Sequence, residues 1–474
     1  MHIVVIGMGY VGIPCAALLA DVPGFRVTGV QRRSARSGWK IDALNAGQSP
    51  FEGDEPGLAE LIQRVAVEKG TFRVTDDLAV CREADAILID VQTPVDGDKM
   101  PRYESLRQVA AGAGRHMRQG VLVIIESTVA PGTTQHVVQP ILEHESGLQA
   151  GRDFSLAFSY ERVMPGKLLE YLVHFPRVVG GIDEESTRRA VELYRHIVQS
   201  EILATDCLTA EVAKTVENTY RDVNIAFANE MALLCESLGV DVFAVRQLVN
   251  SRPDRHMHLP GAGVGGHCLP KDPWLLNHGA GCYGVKPVPS ELLAAARRIN
   301  DSMPLHTADL VRDALAEAGR PVAGAKVAVL GLAYLENSDD TRNTPALPLV
   351  RTLRARGAQV TVHDPYVRPA EFAALDFGAE ADGTLSYTQD LAEALEGADC
   401  AVIVTRHRDY LDHALLEAAA GMRTRIVVDG RGCLDEVACT GAGILYRRLG
   451  SGVSRSASGS DPWTLPLWTS SRKC

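Results

Sequence analysis

The same three-strand pattern occurs twice in this chain, in the same order. Lys326-Val-Ala-Val-Leu-Gly-Leu-Ala-Tyr restates the opening His2-Ile-Val-Val-Ile-Gly-Met-Gly-Tyr. Gln359-Val-Thr-Val-His-Asp restates Arg26-Val-Thr-Gly-Val-Gln, and Ala398-Asp-Cys-Ala-Val-Ile-Val-Thr restates Ala84-Asp-Ala-Ile-Leu-Ile-Asp-Val. Short, continuously apolar runs of this kind suit strands covered on both faces, as in parallel sheets flanked by helices. The repetition predicts an α/β protein with two Rossmann-like, doubly wound parallel-sheet domains. Between the halves, residues 209 to 238 hold no Gly or Pro and carry apolar residues at helical intervals. That predicts one long central helix of roughly 45 Å joining the two domains, at about 1.5 Å per residue.

Composition narrows the function. At 474 residues, 46% hydrophobic and 23% charged, the chain has material for two to three domains with full cores. No run of about 18 apolar residues occurs and the N-terminus leads straight into a strand, so neither a membrane span nor a signal peptide is expected, and the cytoplasm is. Ten cysteines without CxxC spacing fit a reducing compartment and suggest no metal. A formal net charge of -11 argues against a nucleic-acid partner.

Two motifs carry chemistry. After the first strand, Gly7, Gly9 and Gly12, with Tyr10 and Val11 between them, have dinucleotide-binding spacing. The second half keeps Gly331 but has Ala333 and Glu336 where later glycines would stand, so it is expected to bind something other than a dinucleotide. The second motif, Gly261-Ala-Gly-Val-Gly-Gly-His-Cys-Leu-Pro-Lys-Asp-Pro, puts Cys268 at the end of a glycine loop with Asp272 four positions on. Glycines let backbone N–H groups approach a ligand, and a thiol among such donors can be held as thiolate. Cys15, Cys81, Cys207, Cys235 and Cys400 lie in apolar or helical runs and read as packing. A nicotinamide fold with a covalent cysteine points to oxidation past the aldehyde, to an acid. On the central helix Lys214, Asn218, Arg221 and Ile225 share a face, while Val212, Val216, Val223 and Phe227 lie elsewhere. Such a face is by default solvated, but Asn224, Asn229 and Glu230 add polar groups where a connecting helix should be buried.

Over about residues 1 to 445 the sequence resembles the UDP-glucose/GDP-mannose dehydrogenase family. Five motifs carry the likeness in order: Gly7 to Gly12, Ser127-Thr-Val-Ala-Pro-Gly-Thr-Thr, Tyr160-Glu-Arg-Val-Met-Pro-Gly, the Glu211 to Glu230 helix, and Gly265-Gly-His-Cys-Leu-Pro-Lys-Asp-Pro. The resemblance implies an NAD domain over 1–205 and a central helical dimerisation domain with the cysteine loop over 206–305. It further implies a UDP-sugar-binding domain over 306–450, followed by a loosely ordered tail, 451–474. It also implies oxidation of a sugar C6 alcohol to a carboxylate and a homodimer or higher homo-oligomer. Tyr160-Glu-Arg-Val, Arg177-Val-Val-Gly-Gly and the Tyr220 to Glu230 segment look like the UDP-N-acetylhexosamine branch. The segment from Pro260 to Cys268 looks most like enzymes of UDP-N-acetyl-D-mannosamine, with those of UDP-N-acetyl-D-glucosamine next and UDP-glucose as a further alternative.

By the same resemblance Cys268 is the nucleophile, Lys214 and Asn218 serve the oxyanion at C6, and Asp272 holds or deprotonates the water. Glu161 and Thr128 share the proton work, with Thr128 and Thr93 beside the cofactor. Arg162, Val163 and Gly265 meet the sugar, and Arg221, Tyr334, Arg342 and Arg431 the nucleotide; a surface ion pair is the simpler reading of Arg342, within Asp339-Asp-Thr-Arg. Two NAD are consumed per sugar. Where the second strand ends the family has an acid, and here Gln31, Arg32 and Arg33 stand. NAD is expected, with NADP the alternative. Leu335 stands where many relatives carry lysine. Two other classes fit parts of the pattern: a single-step hydroxyacid dehydrogenase and a catalytically silent nucleotide-sugar sensor.

Overall fold

The structure, a computed structural model, describes residues 1–452 apart from 35–36, 52–54, 287, 379–382 and 412; the expected tail from 453 onward lies outside the described residues. The chain divides into two compact units, residues 1–222 with 266–295, and residues 223–265 with 296 onward.

The first unit is built on an eight-stranded sheet. Its strands are β1 (His2–Ile6), β2 (Arg26–Val30), β3 (Phe72–Thr75), β4 (Ala86–Ile89), β5 (Leu122–Ile125), β6 (Ser155–Phe158), β7 (Arg177–Gly181) and β8 (Ile202–Asp206). They run in the order β3-β2-β1-β4-β5-β6-β7-β8. Every neighbouring pair is parallel except β6 with β7. Strand geometry sends alternate side chains to opposite faces, and both faces are covered. Ile3 and Val5 pack with Leu19, Phe72 and Ile124 on one side; Val4 and Ile6 pack with Ile87, Val123 and Leu142 on the other. This two-sided burial is why the strands read as unbroken apolar runs.

The second unit has six strands, β9 (Lys326–Leu330), β10 (Gln359–His363), β11 (Leu385–Thr388), β12 (Cys400–Ile403), β13 (Ile426–Asp429) and β14 (Leu445–Arg448), all parallel, in the order β11-β10-β9-β12-β13-β14. Both sheets therefore share the order 3-2-1-4-5-6 over their first six strands, as the sequence repeat predicts. Val327 and Val329 face one core, Ala328 and Leu330 the other. The long helix is continuous over Cys207–Leu238, 32 residues, two residues earlier at its start than the pattern suggests.

Candidate active site

The turn after β1 shows why its glycines are needed. Gly7 has φ +111, and a Cβ there would lie 1.8 Å from the Asp90 carbonyl oxygen; a Cβ at Gly12 would lie 1.9 Å from the Gly7 carbonyl oxygen. A Cβ at Gly9 would meet nothing within 4 Å. Two glycines are thus forced by the protein's own backbone, and the third leaves open space at the head of the Gly12–Asp21 helix, where a pyrophosphate could come close to backbone N–H groups. The cradle fits a dinucleotide. Tyr10 stacks on Phe51 at 4.7 Å, and the Val11 carbonyl accepts from Cys15 N–H at 3.1 Å. Gln31, at the end of β2, accepts from Met8 N–H at 3.1 Å and donates to Ser37 Oγ at 3.1 Å. Arg32 is exposed, and Arg33 pairs with Asp42 and Asp76. Thr93 donates to the Thr128 carbonyl at 2.5 Å, which brings two expected cofactor residues together. Beneath the turn, burial and the Glu126 charge push the Asp90 carboxyl up to about 7, against the pull of the Gly12 N–H.

Cys268 sits where a loop becomes a helix. Its carbonyl accepts from Lys271 N–H at 3.0 Å and Asp272 N–H at 2.9 Å, which fixes it one turn ahead of the Asp272–Tyr283 helix. The residue is exposed, whereas Cys15, Cys81, Cys207, Cys235 and Cys400 are all buried as expected. Burial pushes the Cys81 thiol up to about 12 and the Cys15 thiol well above its ordinary range, so these thiols are inert. Asp272 is fully buried; Asn218 donates to its Oδ2 at 2.5 Å and Lys271 pairs with its Oδ1 at 2.7 Å. One turn before Asn218, Lys214 is only 8% exposed and donates to the Glu161 carbonyl at 2.8 Å, with its ammonium 5.1 Å from the Tyr160 ring centroid. This face of the helix is not a solvated one at Lys214 and Asn218. Arg221, further along, is exposed.

Sequence reasoning missed the charges behind these residues. Arg177, at the start of β7, is 4% exposed. It donates from Nε to Ser159 Oγ at 2.8 Å and from Nη2 to Glu126 Oε1 at 2.6 Å, and its Nη1 pairs with Glu161 Oε1. Its guanidinium carbon lies 3.4 Å from the Tyr194 ring centroid, and Tyr194 OH donates to the same Glu126 oxygen at 2.7 Å. Glu211, on the long helix one turn before Lys214, accepts from Gly132 N–H at 2.6 Å and Thr134 N–H at 2.9 Å, and so anchors the segment that carries Thr128. The signal was in the sequence: Glu126 closes the apolar run Val121-Leu-Val-Ile-Ile, and Arg177 opens Val-Val-Gly-Gly. Both of these charges abut apolar runs and are buried with a partner.

Arg162 is committed locally, to Glu217 at 3.0 Å, the Pro176 carbonyl at 2.8 Å and Tyr160 OH at 3.0 Å, and Val163 packs on the core. In the second unit, a Cβ at Gly265 would lie 2.4 Å from Tyr334 Cβ, so the glycine allows the tyrosine to close on the loop. Arg342 forks onto the buried carboxylate of Asp340, and Arg431 lies 3.8 Å from Glu336. The turn after β9 differs from that after β1. Asp364, at the end of β10, accepts from Leu332 N–H at 2.7 Å and Ala333 N–H at 2.8 Å, and pairs with His407 at 3.0 Å. A carboxylate already satisfies the N–H groups that a pyrophosphate would use.

Comparison with known proteins agrees with this geometry. Residues 1–198 match the UDP-glucose/GDP-mannose dehydrogenase family, NAD binding domain; residues 208–302 match its central domain, and residues 328–436 its UDP binding domain. A UDP-N-acetyl-D-mannosamine dehydrogenase of Pyrococcus horikoshii is 38% identical over 95% of this chain and 100% of that protein, and its solved structure has a TM-score of 0.84. The protein of the same name from Methanocaldococcus jannaschii is 34% identical over 95% of this chain and 97% of its own. A solved NDP-N-acetyl-D-galactosaminuronic acid dehydrogenase from Methanosarcina mazei Go1 is 40% identical over 96% of each chain, with a TM-score of 0.82. Among the described residues no helix is long and apolar enough to cross a membrane, and no group of three or more His, Cys, Asp or Glu could hold a metal ion.

Proposed function

The chain belongs to the UDP-glucose/GDP-mannose dehydrogenase family, and from that membership we propose that it oxidises the C6 alcohol of UDP-N-acetyl-D-mannosamine to the uronate through a covalent intermediate on Cys268. The observation that carries this reading is the exposed Cys268 held one turn before a helix whose first residue, Asp272, is gripped by Asn218. NAD held at the Gly7 to Gly12 turn would accept two hydrides in succession, one per cofactor molecule.

The protein's part is to hold charge and move protons. The first oxidation takes a hydride from C6 and the hydroxyl proton, and leaves an aldehyde. The Cys268 thiolate adds to that carbonyl, and the alkoxide so formed needs cationic or N–H donors. Lys214 has three N–H bonds and Asn218 two, and each spends one within the protein, which leaves donors for that oxygen. Loss of the second hydride gives a thioester. Water then attacks, its proton passes to Glu161 or Asp272, and the C–S bond breaks to release the carboxylate and regenerate the thiolate. Thr128 lies at the cofactor end, tied to Thr93.

The assignment of mannosamine follows the Pro260 to Cys268 segment and the names of the Pyrococcus and Methanocaldococcus relatives; the galactosaminuronic acid enzyme of Methanosarcina makes the epimer the point to test. We assign residues 1–205 to the NAD domain, 206–305 to dimerisation and 306–450 to UDP-sugar binding, with Gly265, Tyr334, Arg342 and Arg431 among the contacts of the last and Arg221 beside the nucleotide. Dimerisation is supported by Val216, Tyr220, Phe227, Leu234 and Leu238, which are exposed at four- and seven-residue intervals along one helix.

The test is a panel of UDP-sugars with NAD, read by absorbance of the reduced cofactor. UDP-N-acetyl-D-mannosamine should be the best substrate and give two NADH per sugar. Cys268→Ala should be almost inactive, and Cys268→Ser should accumulate a sugar ester visible by intact-protein mass spectrometry. One NADH per sugar would return the hydroxyacid dehydrogenase reading, and full two-step turnover by Cys268→Ala would remove the covalent role of the cysteine.

A further inference from the structure

Arg177 is a buried cation, 4% exposed, with two acidic partners. On one side its guanidinium meets Glu161, and on the other Glu126, whose side chain is completely buried. Glu126 Oε1 receives both Arg177 and Tyr194, and the Cys15 thiol approaches it at 3.8 Å. Glu126 Oε2 is buried with no hydrogen-bond partner among the described residues.

We infer that Arg177 is a positioning residue for Glu161, with Glu126 as its counterweight: the sharing of one guanidinium between two carboxylates fixes where the Glu161 carboxylate points and the pH above which it can take the proton of the hydrolytic water. The inference rests on the proposed role of Glu161 in that step.

The electrostatics follow from who faces whom. A carboxylate that owned a buried arginine outright would be a poor base, because the cation favours its ionised form. Here Glu126 takes part of that cation and adds a like charge, and both effects return basicity to Glu161. Burial pushes the Tyr194 hydroxyl and the Cys15 thiol far up, so both stay neutral donors to Glu126. Asp90, which faces Glu126 from the end of β4, is pushed up to about 7. Lys214 is a further cation, and its ammonium is held on the Glu161 carbonyl, while the neighbouring Arg162 is taken up by Glu217, Tyr160 and the Pro176 carbonyl. Tyr194 completes the device: its ring packs on the guanidinium and its hydroxyl steadies Glu126.

The experiment is the pH profile of kcat with saturating NAD and UDP-sugar, for wild type, Glu126→Gln, Tyr194→Phe and Glu161→Gln, each checked by thermal unfolding and NAD affinity. Glu126→Gln leaves the guanidinium to Glu161, so the acid limb should move to lower pH by about 1 unit. Tyr194→Phe keeps the ring but takes a donor from Glu126, which draws Arg177 away from Glu161, so the limb should move the other way. If Glu126→Gln does not fold, the sign of the Tyr194→Phe shift decides. Glu161→Gln should abolish the limb. A limb lost in Glu161→Gln but unmoved in the folded Glu126 and Tyr194 variants overturns the inference alone. A limb retained in Glu161→Gln overturns the role of Glu161 and the inference with it.

Discussion

Asn218 donates its side-chain amide to the buried carboxylate of Asp272 at 2.5 Å, and this contact ties the long helix to the first residue of the helix that follows Cys268. The neighbouring Lys271 is 4% exposed and pairs with the other carboxylate oxygen. Removing the acid therefore strands a buried cation. Asp272→Ala is expected to cost about 3–5 kcal/mol of stability, the range for breaking a buried pair from one side. Asp272→Asn, which keeps the volume, should cost less yet slow thioester hydrolysis, so that a covalent sugar adduct persists. Denaturant unfolding and intact-mass time courses read the two effects; an Asp272→Ala protein as stable as wild type would remove the acid from its structural role.

Glu211 gives a stability prediction with a sign. Burial pushes its carboxyl from an ordinary 4.5 up to about 7, although two backbone N–H groups pull the other way. Between these values the native state holds a proton that the unfolded chain has given up, so the contribution is intact at the acid end and is lost as pH rises through about 7. About 3 kcal/mol of pH-dependent stability is expected from that one group. Glu211→Gln should be less stable at the acid end, because one of the two N–H groups loses its acceptor, but its stability should vary less between pH 4.5 and 7. Parallel slopes for the two proteins would mean that Glu211 is ionised in the native state.

The folded architecture was legible because two-sided burial writes itself as apolar runs: β1, β2 and β4 recur as β9, β10 and β12, and helix 207–238 shows as an absence of Gly and Pro. The residues around Cys268 were legible as motifs, and Lys214 with Asn218 as a helical interval. What the sequence hid is what depends on which strands are neighbours. Glu126, Glu161 and Arg177 stand on three strand ends that are far apart in the chain and adjacent only in the sheet order β5-β6-β7. Arg162 shows the converse: its fork suits a ligand, and its neighbours Glu217, Tyr160 and a carbonyl within its own unit, which engage it here, could not be read from spacing.

Asp90 should make cofactor affinity depend on pH. Its carboxyl lies under the Gly7 to Gly12 turn, where the pyrophosphate is expected, and it ionises near pH 7. Below that pH the turn has a neutral floor; above it a negative charge opposes the cofactor's own. Binding of NAD to wild type should weaken by up to about tenfold between pH 6 and 8.5, the equivalent of about 1.4 kcal/mol. Asp90→Asn should bind with little pH dependence and match the wild type only at the acid end. Titration of the intrinsic tryptophan fluorescence with NAD at both pH values measures this, and an equally steep pH dependence in Asp90→Asn would assign it to another group.

Gln31 is expected to decide between NAD and NADP. Its carboxamide is already oriented, with Oε1 on Met8 N–H and Nε2 on Ser37, at the strand end where an acid would hold the adenosine ribose. Arg33 is engaged by Asp42 and Asp76, but those pairs are exposed and screened by solvent, so they deter a 2′-phosphate only weakly. The preference must then rest on residue 31. Wild type should have the higher kcat/KM with NAD. Gln31→Asp should widen the ratio by about 1.5–3 kcal/mol, the worth of a hydrogen bond to a charged group, because a carboxylate accepts from the ribose hydroxyls and repels a phosphate. A wild-type enzyme faster with NADP, or a Gln31→Asp variant with an unchanged ratio, would place the discrimination elsewhere on the loop that carries Arg32 and Ser34.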